Sequence, residues 1–313
     1  MPSRRYRISS PIRHCIAASI LPLCALLLVV APDKFPLVNA RAFLVPGAVV
    51  LVLVGAWLLR KGRSRAGMGA LLAALITGMP VVHAGLGKRS GADGSAVLSI
   101  AQMNVHEANT SHAQVVGVAR SSGADLLSMQ EVDEYWWDVL LAGLSEEYPW
   151  YIHGAGEKNH GIALFSKVPL DHVEVFDLEG TPAIRAAVRH SGGSMQVITA
   201  HLRAPESAAK LEQRNGQWIA LAGLVNTAAM PVCLIGDLNT VPWDDAYKQF
   251  RSATGMVPGS LATAPTWPVV AGISIVPLDH VLTTPELYPD HMRTFTIPGS
   301  DHRGISAQIM AVQ

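Results

Sequence analysis

Residues 230–240, MPVCLIGDLNT, decide the fold class of this chain. The apolar run at 232–235 is uninterrupted, which is typical of a strand whose two faces are both buried. Two polar side chains, Asp237 and Asn239, follow where that strand would end. Segments that follow core strands often carry catalytic and binding groups. The stretch therefore predicts a buried strand that delivers polar groups to one edge of a sheet.

The segments on either side of this strand extend the pattern. VLSIAQMNV (97–105), ADLLSMQEV (124–132) and SMQVITAHL (194–202) predict further strands. Helices are predicted over 111–123, 133–144 and 205–225, where apolar residues recur at helical spacing. Strands outnumber helices and several are joined as hairpins. We therefore expect an α/β fold with two mostly antiparallel sheets flanked by helices, rather than a doubly wound parallel sheet. The Gly- and Pro-rich residues 252–277 predict a long loop.

Polar residues end most of these apolar strands. A single Asp or Asn at such a place usually caps a turn. Several carboxylates gathered at one edge would repel each other unless a cation lay among them. Oxygen ligands from Glu, Asp and Asn suit Mg²⁺ or Mn²⁺. The residues with this placement are Asn104, Glu131, His201, Asp237, Asn239, Asp279, His280, Asp301 and His302.

Six short segments then carry a family resemblance. They are MNV, SMQEV, ITAHL, IGDLNT, PLDHV and GSDHRG, in this order. The set resembles the endonuclease/exonuclease/phosphatase superfamily, the DNase I-like phosphodiesterases, over residues 97–312. The resemblance implies a four-layered α/β sandwich and metal-dependent hydrolysis of a phosphate ester.

The resemblance also implies a role for each matching residue. Asn104, Glu131 and Asp301 would bind the metal, Mg²⁺ or Mn²⁺. Asp237 would orient or deprotonate the attacking water, and Asn239 would hold that water or the phosphate. His302 would stabilise the phosphate charge or assist the leaving group, and Asp279 would support His302. His201 would contact the scissile phosphate, and Arg185 would face the phosphate.

Two histidines remain without a role. Some nucleases of the family carry an acid two residues after the first Asn, where this chain has His106. That difference slightly favours a branch other than the nucleases. His160, in KNHGIALFSK, is predicted to be an ordinary surface or loop histidine.

The first 87 residues predict a membrane module with three transmembrane helices at about 14–32, 42–59 and 66–87. About 20 residues of helix are needed to cross the hydrocarbon layer. A cleaved signal peptide is the alternative for the first window. Residues 88–96 are predicted to be a linker, and 97–313 the catalytic domain. The N-terminal tail and the loop between the second and third windows are basic. By the positive-inside rule both lie in the cytoplasm, and three spans then place the catalytic domain outside the cell membrane.

Charge separates the same two parts. Residues 1–87 hold ten basic residues and one acid, a net charge of +9, whereas residues 88–313 hold 14 basic and 23 acidic residues, a net charge of −9. An acidic domain disfavours a non-specific nucleic-acid partner. An enzyme held at the bilayer favours a lipid-linked phosphate as substrate.

Three spans followed by such a domain also resemble the membrane phosphatases associated with teicoplanin resistance, which implies a polyprenyl pyrophosphate substrate. The alternatives are a surface-tethered nuclease acting on DNA or RNA and a catalytically inactive binding domain. The sequence predicts no obligate protein partner.

Overall fold

A computed structural model of the chain describes residues 10–86, 94–190 and 193–312. Its contacts divide the chain into two units, Met1–His83 and Ala84–Gln313. The N-terminal tail at 1–9 and most of the predicted linker at 88–96 lie outside the described residues. Strand β1 (Gly94–Asn104) already includes the last three residues of that linker.

The described part of the first unit is helical. Its helices are α1 (Ser10–Val30), α2 (Leu37–Ala42), α3 (Leu44–Arg60) and α4, which runs on to the start of the second unit (Ser64–Leu86). They pack closely through small residues. A Cβ on Gly67 would lie 2.9 Å from the carbonyl oxygen of Gly55, and a Cβ on Gly69 would meet the backbone of Ala18. Such close approach through glycine is frequent between membrane helices.

Among the described residues, one helical segment is long and apolar enough to cross a membrane. It is Ser64–Gly85, with a mean hydropathy of 1.6. The apolar segments Ala18–Val30 and Leu44–Arg60 are shorter than that test requires. The prediction of three transmembrane helices is therefore not confirmed.

Two six-stranded sheets form the second unit. The first sheet has the order β11-β12-β1-β2-β4-β3, and its further strands are β2 (Leu126–Gln130), β3 (Trp150–Gly154), β4 (Ile162–Ser166), β11 (Leu287–Thr296) and β12 (Arg303–Val312). The second has the order β5-β6-β7-β8-β10-β9, with β5 (Leu170–Asp177), β6 (Pro182–His190), β7 (Gly193–His201), β8 (Val232–Asp237), β9 (Val257–Pro258) and β10 (Asp279–Thr283).

Helices connect the two parallel pairs of strands. Helix α5 (His112–Ser121) joins β1 to β2, and α7 (Ala208–Asn226) joins β7 to β8. The other strand pairs within the sheets are antiparallel. The prediction of two mostly antiparallel sheets flanked by helices is confirmed.

Side-chain caps begin three of the helices. Asp133 accepts a hydrogen bond from the backbone N–H of Trp136 at the start of α6 (Glu134–Leu144). Ser207 caps α7 in the same way, and Asp244 caps α8 (Asp245–Thr254). Each such cap satisfies a backbone donor that the first helical turn leaves unpaired. Helix α8 is not among the predicted helices, and its last three residues fall in the predicted loop at 252–277.

Three apolar layers hold the sheets and helices together. The central layer lies between the sheets and includes Ile100, Leu164, Val197 and Ile235. A second layer packs α5 and α6 on the outer face of the first sheet, and a third packs α7 and α8 on the outer face of the second sheet. The order helix, sheet, sheet, helix is the four-layered arrangement. At one end of the central layer the apolar side chains give way to polar ones.

Candidate active site

Strand alternation places the polar groups inside the sandwich. Every second residue of a strand faces the same side. On β1, Leu98 and Ile100 pack between the sheets, so Gln102 and Asn104 extend that inner row towards the end of the strand. On β8, Cys233 and Ile235 likewise precede Asp237. Both sheets therefore contribute polar side chains to the same end of the interior.

Asp237 lies in the middle of this polar group. Its side chain is 2% exposed. Asn104 Nδ2 donates a hydrogen bond of 3.0 Å to Asp237 Oδ2. The same oxygen lies 3.5 Å from His201 Nε2 and 3.6 Å from His302 Nε2. Burial raises the pKa of Asp237, and the nearby charge of Asp279 raises it further. The carboxyl group is thus suited to accept a proton.

His302 is paired with a second carboxylate. Its Nδ1 lies 2.9 Å from Asp279 Oδ2, and both side chains are buried. Burial on its own would lower the pKa of His302, but the charges of Asp279 and Asp237 outweigh burial and raise that pKa to about 10. The Ser300 hydroxyl accepts a hydrogen bond from the His302 backbone N–H and donates one to the Asn104 carbonyl oxygen. The raised pKa favours the imidazolium form of His302, and the contacts with Asp279 and Ser300 fix the position of the ring.

Asn239 and His201 complete the catalytic side of the site. The backbone N–H of Asn239 donates to Asp237 Oδ1 at 3.0 Å. The Asn239 side-chain amide donates to the carbonyl oxygen of Leu202 and lies 3.3 Å from His201 Nε2. The amide is thereby held next to the imidazole of His201.

A group of oxygen atoms on the other side of Asn104 suits a cation. Asn104 Nδ2 also donates to Glu131 Oε1 at 3.0 Å, and the backbone N–H of Glu107 donates to Glu131 Oε2. Trp267 Nε1 donates to Asp301 Oδ2. Oδ1 of Asp301 is buried, and no described group donates a hydrogen bond to it.

His106 lies between these two carboxylates. Its Nδ1 is 3.4 Å from Asp301 Oδ1 and 3.6 Å from Glu131 Oε2. A buried carboxylate oxygen without a donor is costly unless another positive group, such as a metal ion, satisfies it. The carboxylate oxygens of Glu131 and Asp301 therefore fit a hard divalent cation, whereas Asn104 Oδ1 accepts a hydrogen bond of 3.0 Å from the His106 backbone N–H. A tighter cluster of potential ligands, Asp237, Asp279 and His302, lies within the catalytic side.

Three residues at the strand ends have left-handed backbone conformations. Their φ angles are +61° at Glu131, +61° at His106 and +44° at Asn239. Residues other than glycine rarely adopt such angles, and strained residues of this kind concentrate at functional sites. All three side chains take part in the polar contacts at this end of the sandwich.

Sequence reasoning missed an inner polar layer beneath the site. Gln102 Nε2 donates to Asp279 Oδ1 at 2.6 Å and to Gln130 Oε1 at 2.7 Å. Gln130 Nε2 donates to Ser128 Oγ, which contacts the hydroxyl of Thr199 on the facing sheet. A signal for this layer was present. Gln102 occupies an inward position of a strand whose other inward residues are apolar.

His160 is buried, contrary to its prediction from the sequence. It was predicted to be a surface or loop histidine, but the structure buries it beside His201. The two rings stack with centroids 5.4 Å apart and planes at 18°. Burial lowers the pKa of His160 to about 4, and the charges of His201 and Arg203 act in the same direction. Arg203 Nη1 donates to His160 Nε2 at 2.9 Å.

Arg185 does not join the other predicted site residues. Its neighbours on β6, Ile184 and Ala186, pack between the sheets, so Arg185 faces the opposite side of its sheet. Its Nε donates to Glu174 on β5 at 2.7 Å. The structure thus brings together Asn104, Glu131, His201, Asp237, Asn239, Asp279, Asp301 and His302, and leaves Arg185 in an ion pair on another face.

Comparison with known proteins agrees with this architecture. The model of the Endonuclease/Exonuclease/phosphatase family matches residues 101–302. The curated protein sequences gave no match to this chain.

Solved structures share the fold. D. rerio TDP2, in a complex with a single-stranded DNA product, is 20% identical, with a TM-score of 0.56 over 69% of this chain and 99% of that one. A mannosyl-6-phosphatase of Bacteroides thetaiotaomicron is 16% identical, with a TM-score of 0.55 over 68% and 99% of the two chains. Sphingomyelinase C of Streptomyces griseocarneus is 15% identical, with a TM-score of 0.53 over 68% and 99%. At these identities the similarity demonstrates the common fold.

Proposed function

The chain belongs to the endonuclease/exonuclease/phosphatase family, and from that premise we propose that it is a membrane-anchored, divalent-metal-dependent phosphoesterase acting on a lipid-linked phosphate or pyrophosphate outside the membrane. Members of the family are typically hydrolases of phosphodiester or phosphate ester bonds. They are generally dependent on divalent metal ions. The proposal rests mainly on one observation. The side-chain amide of Asn104 donates hydrogen bonds both to Glu131 on the metal side and to Asp237 on the catalytic side.

Asn104, Glu131 and Asp301 would hold the cation. A bound divalent cation neutralises phosphate charge and lowers the pKa of a coordinated water. Asp237 Oδ2 orients a water for in-line attack and takes its proton. Burial supports this role because a carboxyl group with a raised pKa holds a proton more readily.

The charged His302 supplies the positive group opposite the phosphate oxygens. Asp279 holds its Nδ1, so the Nε2–H points to the reacting end of the site. Fixed charge of this kind stabilises the transition state of phosphoryl transfer without reorganisation.

For a pyrophosphate ester the reaction balances with water alone. The water oxygen forms a bond to the terminal phosphorus, and the bond from that phosphorus to the bridging oxygen breaks. The bridging oxygen keeps the electron pair and leaves as part of the lipid monophosphate. The proton from water passes to Asp237 and then to solvent, and inorganic phosphate is the second product.

Features of the first unit support the membrane anchor. Large apolar side chains on its helices are exposed, among them Leu27 at 57%, Leu53 at 65% and Leu75 at 64%. Exposed apolar surface of this extent suits a hydrocarbon environment rather than water. The positive-inside rule gives the orientation, with residues 88–313 outside the cytoplasm. The resemblance to membrane phosphatases of teicoplanin resistance belongs to the same proposal.

A surface-tethered nuclease is the second candidate. One structural neighbour was solved with a single-stranded DNA product. The net charge of −9 over residues 88–313 opposes binding of a polyanion. A catalytically inactive binding domain is a weaker candidate because eight of the nine predicted site residues, all except Arg185, converge in one site.

The test is phosphate release by the full-length protein purified in detergent with Mg²⁺. Polyprenyl pyrophosphate and DNA are offered in parallel, and Asp237→Ala serves as the blank. Release from the lipid that Asp237→Ala abolishes supports the proposal. Cleavage of DNA with the lipid untouched would replace it with the nuclease. A C-terminal reporter active only outside the cytoplasm checks the orientation, and a cytoplasmic signal would contradict it.

A further inference from the structure

Three cationic or potentially cationic side chains form a row beside the site. His201 stacks on His160, and His160 accepts a hydrogen bond from Arg203. We call this set, His201, His160 and Arg203, the HHR row. His201 belongs to the predicted catalytic set, whereas the reaction described above uses neither His160 nor Arg203.

His160 is a neutral spacer in the HHR row. Its Nδ1 lies 3.2 Å from the carbonyl oxygen of Glu157 and can donate to it. Arg203 Nη1 lies 2.9 Å from Nε2 and 3.3 Å from Nδ1, so it donates to the ring mainly at Nε2, the nearer nitrogen. An imidazolium could not accept this bond, because both of its nitrogen atoms are donors. The neutral ring thus holds the guanidinium in place without cancelling its charge.

The charge of Arg203 is not neutralised by a protein carboxylate. Its guanidinium contacts the His160 ring, and its Nη2 donates to the carbonyl oxygen of Gly180 at 3.3 Å. Within the ranges that the structure describes, no carboxylate forms an ion pair with it. By comparison, Arg185, Arg189 and Arg214 of the same unit each pair with an Asp or Glu. Arg203 therefore keeps a full positive charge next to the site.

Two nitrogen atoms of the HHR row are also buried and lack partners. They are Nε of Arg203 and Nδ1 of His201, and no group in the described part of the chain hydrogen bonds to either. A buried N–H without an acceptor is unfavourable, because the group has lost its hydrogen bonds to water. The Nε–H of Arg203 is an unpaired donor on a guanidinium without a carboxylate partner, which suits an anion with several acceptor oxygens, and a phosphoryl group offers three.

We propose that the HHR row binds a second phosphoryl group attached to the scissile one, so that the preferred substrate class is a diphosphate ester rather than a monophosphate ester. This inference rests on the proposed phosphoesterase function. In this arrangement His201 contacts the scissile phosphate and Arg203 contacts the phosphate that leaves with the rest of the substrate. Arg203 is then a specificity residue, and His160 is a positioning residue that sets its place.

The test compares farnesyl diphosphate with farnesyl monophosphate on the full-length protein in detergent with Mg²⁺. Arg203→Gln is expected to lower kcat/KM for the diphosphate about 10- to 100-fold, the range for loss of a charged hydrogen bond. For the monophosphate it should change kcat/KM less than threefold. Arg189→Gln is the matched control, since Arg189 is exposed and pairs with Asp171 on β5. An equal loss on both substrates would overturn the inference and leave the proposed function standing.

A binding measurement separates the two proposals further. Inorganic pyrophosphate and inorganic phosphate are titrated calorimetrically into the protein. The expected result is tighter binding of pyrophosphate, with the preference lost in Arg203→Gln and partly kept in Arg203→Lys. Equal binding of the two anions by the unsubstituted protein would refute the inference, even if Arg203→Gln failed to fold.

Hydrolysis of neither farnesyl ester would instead count against the proposed function. Loss in Arg203→Gln confined to single-stranded DNA cleavage would show that Arg203 reads a neighbouring nucleotide phosphate, which also overturns the inference.

Discussion

Oδ2 of Asp279 lies 2.9 Å from Nδ1 of His302, and this contact joins the two sheets of the sandwich. Asp279 begins β10 in the second sheet, and His302 precedes β12 in the first. The carboxylate fixes the orientation of the imidazole and favours its charged form. The packing of the sheets therefore creates the charged histidine of the site.

Asp279→Asn should lower kcat by about 10²- to 10⁴-fold, the range for a catalytic acid–base group. The substitution keeps the shape of the side chain but removes the charge that raises the pKa of His302. Steady-state phosphate release measures the effect. Asp171→Asn, in the exposed pair with Arg189, is the control. A kcat within threefold of the unsubstituted protein would refute the role of Asp279.

Gln102→Leu should both destabilise the protein and slow the reaction. The change removes two hydrogen bonds and leaves Asp279 Oδ1 without this donor. Loss of a partner to a buried polar group costs about 1–3 kcal/mol. Denaturant unfolding followed by Trp fluorescence measures the loss of stability. Gln102→Glu, which places a charge opposite Asp279, should be worse than Leu, and the reverse order would contradict this account.

Added Mg²⁺ or Mn²⁺ should raise the Tm of the protein. A ligand that binds only the native state stabilises it by about 2.7 kcal/mol at 100 times its Kd. Glu131→Gln should abolish most of the shift, because Glu131 is a proposed metal ligand. Glu174→Gln, on the exposed strand β5, should leave it intact. Thermal scans with chelator, and then with excess metal, distinguish these outcomes.

Lowering the pH should destabilise the fold through His280. Burial lowers its folded pKa from 6.5 to about 4, and its Nε2 donates to the carbonyl oxygen of Thr240. The neutral ring favours the native state above pH 6.5, and this contribution is lost as the pH falls towards 4. Linkage gives a loss of about 2 kcal/mol in the free energy of unfolding between pH 8 and pH 5. His280→Gln should show a pH dependence smaller by that amount, and an unchanged slope would exclude His280 as the cause.

Arg214→Met should destabilise the second unit by about 3–5 kcal/mol, because it leaves a buried carboxylate unpaired. Arg214 Nη1 donates to Asp244 Oδ2 at 2.8 Å, and both side chains are 1% exposed. The double variant Arg214→Met with Asp244→Asn should recover part of the loss, since asparagine keeps the cap of α8 without the charge. Additive losses in the double variant would show that the pair is not coupled.

The sequence was sufficient to predict the fold class and eight of the polar residues that meet at one end of the sandwich, but it misplaced Arg185 and missed Gln102 and the burial of His160. Both rest on local patterns. Apolar runs of strand length indicate buried strands, and the polar residues that end them, such as Asn104, Glu131 and Asp237, must lie near the strand ends wherever those strands pack. The order of six short segments then pointed to the family, which the match over residues 101–302 establishes. The roles of the individual residues and the three membrane spans stay predictions.

Only the tertiary structure decided which side chains meet. Gln102 bonds to Asp279 across 177 positions of sequence, and Arg203 reaches His160 across 43. Arg185 lies on a predicted strand, yet the register of β5 against β6 pairs it with Glu174. Strand periodicity is a local property, and it shows only which residues of a strand share a face. It does not show which of the two faces lies inside the sandwich. The inner face, and the partner on it, depend on how two sheets pack, and that packing is set by the whole apolar core.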